Sequence, residues 1–133
     1  MGDALRAGLQ FVLRVANLLQ TKGVLRAMGQ IAVVAYRPRP GKEALLLELT
    51  KEHLPILRGQ GLATERPACA MRAADGTIIE VFEWKSQEAI AAAHTNPVVS
   101  KLWERYWQAC ECVPLANVKE CTDMFAGFEP IDL

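Results

Sequence analysis

The sequence predicts an α+β domain of order β-α-β-β-α-β, built on one four-stranded antiparallel sheet, and three observations predict it. Asp75-Gly76 supplies the positive φ of a tight hairpin and is followed by a β-branched and aromatic run, Thr77 to Trp84, suited to a pleated surface. Ser86 can then cap a helix whose first turn carries Glu88, where the helix dipole favours an anion. Ile31 to Tyr36 is a short apolar run closed by the breakers Arg37 to Gly41, which makes it a strand and its loop.

The remaining elements follow in order. From Lys42 the period changes: Leu45, Leu46, Leu49, His53, Ile56 and Leu57 share one helical stripe, with Glu43, Glu48, Lys51 and Glu52 mostly opposite. Pro55 is expected to end or kink this helix, because it removes a donor and clashes with the carbonyl of Lys51. Glu65 to Ala73 reads as the second strand, joined to the third by Asp75-Gly76. Asn96 caps a fresh helix with Pro97 at its first position, where a missing donor costs nothing. Its inner stripe is Val98, Leu102, Tyr106 and Ala109, broadened by Val99, Trp103 and Cys110. Val113 to Ala116 reads as extended, Val118 to Thr122 as one helical turn, and Met124 to Ile131 as the last strand.

The chain has 133 residues, enough for one domain with a genuine core. Charged residues make up 23% and balance to a net charge of +0, so no basic face for nucleic acid is expected. Cys69, Cys110, Cys112 and Cys121 come without a secretory signal and read as reduced thiols of a cytoplasmic protein. They lack paired metal-ligand spacing, the two histidines lie far from them in sequence, and no metal site is expected. No phosphate-cradling glycine loop and no serine elbow occurs, and the expectation is a protein without a cofactor.

Residues 1–27 differ from 28–133. Leu5, Leu9, Val12, Leu13, Ala16 and Leu19 recur at helical spacing, and Arg6, Arg14, Lys22 and Arg26 stand against the single Asp3. This is a basic amphipathic helix or an extension ahead of a domain starting at Met28; docking on the domain and a membrane-surface or transit-like role are both open. No apolar run approaches the roughly 18 residues that would span a bilayer.

Alternation puts Ile79, Val81 and Glu83 on one face of the third strand and Ile78, Glu80, Phe82 and Trp84 on the other. Both faces of this strand and of the first are mostly apolar, and two helices shelter only one side of the sheet. The other side calls for cover, most economically the same sheet of a second copy in a twofold homodimer.

The strand-loop opening and the run Phe82-Glu83-Trp84-Lys85-Ser86 through Glu88-Ala89-Ile90 to His94 resemble the dimeric α/β-barrel superfamily, and within it the antibiotic biosynthesis monooxygenase-like (ABM) domains. The resemblance spans about Gln30 to Ile131. It implies a ferredoxin-like protomer whose sheet packs on its twin, with a pocket between sheet and helices. Members include cofactor-free oxygenases acting on polyketide-derived quinols, muconolactone-type isomerases and haem-degrading monooxygenases. The last place an Asn on the first strand, a Trp on the third and a His on the second helix. Trp84 and His94 match in type and element, but Ile31 to Tyr36 holds no Asn, which argues against haem degradation.

The candidate site residues follow from reach and position. His94 can take a proton near pH 7 or bond its own helix carbonyls, while Trp84 and Tyr36 end their strands where a flat ring could rest. Those three are the candidate catalytic residues. His53, Glu83, Tyr106 and Met71 are the candidates for substrate contact, although His53 reads more readily as a satisfied core histidine. Glu80 and Glu83 fall on opposite faces, so one of them is buried, and Arg72 is its expected partner. Two functions stand beside each other: a cofactor-independent monooxygenase-like enzyme for a hydrophobic or aromatic small molecule, and a non-catalytic binding or stress-associated module of the same fold.

Overall fold

The computed structural model describes residues 29–133, and upstream of them only Arg6 and Gln10. The amphipathic helix expected over 1–27 and the domain start expected at Met28 lie outside the described residues.

The first strand, β1 (Gln30–Pro38), is followed by helix α1 (Glu43–Gly59), and the hairpin strands are β2 (Cys69–Arg72) and β3 (Ile78–Trp84). Helix α2 (Gln87–Ala93) begins at Ser86, whose hydroxyl accepts the backbone N–H of Ala89 at 3.0 Å. Helix α3 (Pro97–Ala109) begins at Asn96, whose side chain accepts the N–H groups of Val98 and Val99 at 2.9 and 3.2 Å. Removing this cap by Asn96→Ala is expected to lower stability by about 1–2 kcal/mol in urea unfolding, with an unchanged slope. The hairpin turn holds Gly76 at φ +92°, a conformation strained for any residue with a Cβ.

All strands pair antiparallel in the order β4-β1-β3-β2-β5, where β4 is Cys110–Val113 and β5 is Glu129–Ile131. The chain is thus α+β, with a five-stranded sheet and three helices among the described residues, compatible with a ferredoxin-like arrangement. The expectation of four strands is corrected here. The backbone turns extended at Cys110 (φ −157°, ψ 172°) as α3 ends, so β4 forms at once beside β1. The segment expected as one last strand from Met124 contributes only β5, on the far edge beside β2. Between them stand two short 3₁₀ turns, Leu115–Asn117 and Lys119–Thr122.

Two further expectations change. Helix α1 runs through Pro55 to Gly59, because Pro55 and Lys51 are exposed and the carbonyl that loses its donor can meet water. The inner stripe of α3 is rotated: Val99, Leu102, Tyr106 and Ala109 are buried, while Val98 is exposed.

Helices α1 and α3 pack on one face of the sheet. Leu46 and Leu49 of α1 and Leu102, Tyr106 and Ala109 of α3 form a core with Tyr36 and Ile78, and a second cluster gathers Leu54, Leu57, Phe82, Ala93 and Val99. The described residues cover only half of the opposite face. Val118 and Phe128 from the C-terminal segment lie over Ala35, Ala73 and Ile79, but Ile31 and Val33 stay 51% and 44% exposed. No helix among the described residues is long and apolar enough to cross a membrane.

Candidate functional site

Strand alternation and the helical period aim three polar side chains at one point between sheet and helices. Glu80 on β3 is paired across the sheet with Val34 of β1, so Tyr36, two residues further on, is its diagonal neighbour on the same face. His53 comes down from α1, one turn from Leu49 and Leu57, both fully buried. The Tyr36 hydroxyl donates to Glu80 Oε1 at 2.9 Å, and His53 Nδ1 lies 2.8 Å from the same oxygen. All three residues are buried, Glu80 completely.

With the Glu80 oxygen as acceptor, the His53 proton stands on Nδ1 and Nε2 is left for other chemistry. Burial, and after it the Glu80 carboxylate, hold the Tyr36 phenol well above its usual pKa, so it remains a donor. The second Glu80 oxygen, Oε2, is buried without a partner, and so is the Tyr106 hydroxyl. Tyr106 stacks on Tyr36 with ring centroids 4.8 Å apart, and its own pKa is raised, first by burial and then by Glu80. The His53 ring meets the rings of Phe82 and Tyr106 edge-on, at 5.2 and 5.5 Å.

Beside this cluster opens a cavity of about 270 Å³, near the lower end of the range for small-ligand sites. Tyr36, His53, Tyr106 and Val34 form part of its wall, and Phe82, Trp84, Trp103 and Trp107 give it flat apolar surface. His94 and Cys112 complete it. His94 ends α2 and packs edge-on against Trp103 at 5.4 Å. Its buried Nδ1 has no partner, so the ring does not bond the last helix carbonyls, and burial lowers its pKa below the usual value. That holds the imidazole neutral at pH 7.

Five of the seven residues singled out in the sequence thus meet at one cavity: His94, Trp84, Tyr36, His53 and Tyr106. Glu83 and Met71, the other two expected substrate contacts, lie away from this cavity. Both sit on the other face of the sheet by alternation. Glu83 accepts from Thr64 Oγ1 at 2.7 Å and pairs with Arg66 at 3.1 Å, bonds that lower its pKa in that order, while Met71 packs on the Ile79 cluster. Arg72 is not the partner of either glutamate, since it faces Glu129 at 3.9 Å.

The pairing of Glu80 with His53 was missed by the sequence reading, though a signal existed. A carboxylate inside Ile78-Ile-Glu-Val-Phe82, on the face that meets the helices, needs a buried partner, and His53 is the polar aromatic on the inner stripe of α1. Cys112 was passed over because β4 was not foreseen.

Helices on one face of an antiparallel sheet, with an apolar cavity between and a buried carboxylate–imidazole pair on its wall, define a small α+β pocket protein. No protein-family model matches the chain, and no curated protein or solved structure matches it at a significant level.

Proposed function

We propose that this protein is a cofactor-independent enzyme of monooxygenase-like type, which takes a proton from a flat, hydrophobic or aromatic substrate held in the cavity. The observation that carries the reading is the Glu80–His53 pair opening on a nearly all-apolar wall. A carboxylate on Nδ1 fixes the tautomer and stabilises the imidazolium formed when Nε2 accepts a proton. The sequence alone favoured His94 as base. The geometry favours His53, because His94 has no carboxylate behind it and offers one neutral nitrogen to position a substrate.

In the proposed reaction His53 Nε2 removes a proton from an activated CH₂ flanked by aromatic rings. Dioxygen adds to the carbanion, and loss of water leaves a carbonyl, so that CH₂ and O₂ become C=O and H₂O. Trp84 and Phe82 wall the ring, and Tyr36 acts as a positioning residue by holding Glu80.

The test is oxygen uptake by the purified protein with a panel of polycyclic phenols and quinols and no added cofactor. Uptake at a rate above the protein-free rate supports the reading. Quenching of tryptophan fluorescence by a panel member with no uptake identifies a binding module instead.

The homodimer belongs to the same proposal. Ile31 and Val33 form an exposed apolar strip on the side of the sheet that the described residues only half cover, suited to the same strip of a second copy. Static light scattering at micromolar concentration is expected to give the mass of two chains, and Val33→Asp that of one. A single-chain mass for the unaltered protein overturns the dimer.

A further inference from the structure

All three tryptophans of the chain, Trp84, Trp103 and Trp107, stand on the wall of the cavity between sheet and helices. The two ends of this space differ. Phe82 and His53, 2% and 3% exposed, close it on the inside, while Trp107 at 44% exposure and the exposed Cys112 mark its open end. Val34, directly across the sheet from Glu80 and on the same face, lines the space between.

Charge sets one limit on what this space can hold. Among the described residues on its wall there is no Lys, Arg, Asp or Glu. A charged group carried to the closed end gives up water and finds no counter-ion there, because Glu80 lies fully buried behind His53, with Oε1 taken by Tyr36 and His53. Volume sets the other limit. An apolar cavity of about 150 Å³ holds one benzene ring, so in proportion to carbon content two fused rings need about 250 Å³ and three about 350 Å³. The cavity measures about 270 Å³. Two fused rings fill it, and a third is left outside, beyond Trp107 and Cys112.

We propose that the cavity is the site of one uncharged aromatic molecule of two fused rings, seated with its inner ring against Phe82 and His53 and its outer ring at Trp107 and Cys112. This rests on the reading of the cavity as a substrate site, and it narrows the substrate to bicyclic phenols and their uncharged relatives. It uses neither dioxygen nor His53 as a base. Binding without oxygen uptake therefore removes the enzyme and keeps this site, whereas uptake with a charged or larger substrate keeps the enzyme and removes this selectivity.

The test titrates the full chain with phenol, 2-naphthol and 2-anthrol at neutral pH by isothermal titration calorimetry, free of oxygen so that binding is read without turnover. Affinity is expected to rise about tenfold or more from one ring to two, the scale of burying one more fused ring, and by no more than about threefold from two to three. Naphthalene-2,6-diol is expected to bind at least about a hundredfold more tightly than naphthalene-2,6-dicarboxylate or 2,6-bis(aminomethyl)naphthalene, whose charges at both ends force one of them inward. Val34→Phe adds bulk to the wall and is expected to lower the affinity for 2-naphthol about tenfold or more, and that for phenol about threefold or less. No measurable binding of 2-naphthol, a third ring that gains as much as the second, a charged compound that binds as tightly as the diol, or an unchanged 2-naphthol affinity in Val34→Phe overturns the proposal. Should Val34→Phe unfold, the position is read on the unaltered protein: saturating 2-naphthol is expected to slow alkylation of Cys112 by iodoacetamide about tenfold and to leave the exposed Cys69 and Cys121, away from the cavity, unchanged, and an undiminished rate at Cys112 overturns the proposal.

Discussion

Replacing Glu80 by Ala is expected to cost the folded protein about 2–6 kcal/mol, because it strands two buried donors at once and each unpaired donor costs about 1–3 kcal/mol. Tyr36 donates to Glu80 Oε1 and His53 Nδ1 lies 2.8 Å from the same oxygen, both in the buried space between sheet and helices. A domain of this size is stable by about 5–15 kcal/mol in all, so the variant should sit near the edge of folding. Glu80→Gln keeps the volume and one acceptor oxygen and is expected to lose less than half as much. Urea unfolding of the three proteins at neutral pH checks both values. A loss under about 1 kcal/mol for Glu80→Ala would mean that the two donors find water or each other, and the network drawn here would be wrong.

The second large effect falls on turnover. With a substrate found by oxygen uptake, His53→Gln is expected to reduce kcat by about 10²–10⁴, the usual contribution of a positioned general base, with KM little changed. His94→Gln is expected to lower kcat/KM by about tenfold, through KM, as the loss of one hydrogen bond to bound substrate. Both variants keep a polar side chain of similar size, so circular dichroism should show native folding for each. The reverse ranking, with His94 decisive and His53 dispensable, would return the base to His94 and leave the Glu80–His53 pair a purely structural bond. The two histidines differ in what stands behind them: a carboxylate at 2.8 Å for His53, and a tryptophan edge for His94.

Much of the fold was legible because local signals agreed. The Asp75-Gly76 turn, the Ser86 and Asn96 caps and the two apolar strand runs each act within a few residues, and each stands where pattern placed it. Pro55 misled because its cost depends on whether water reaches the Lys51 carbonyl, which only the orientation of α1 decides. The strand Cys110–Val113 was hidden for a related reason. Its four residues carry too little pattern to announce a strand, and they become one only because β1 offers a free edge at the end of α3.

The candidate site divides along the same line. Alternation along β3 by itself set Glu80 and Glu83 on opposite faces, and helical spacing by itself put His53 on the inner stripe of α1. Which face met the helices, and therefore which glutamate was buried and which histidine reached it, depended on contacts between residues 27 positions apart for His53 and Glu80, and 44 for Tyr36 and Glu80. A sequence records periods and caps because these are short-range; the partner of a buried charge is chosen by packing, where the nearest donor across the core must satisfy it or the fold bears the cost of leaving it bare.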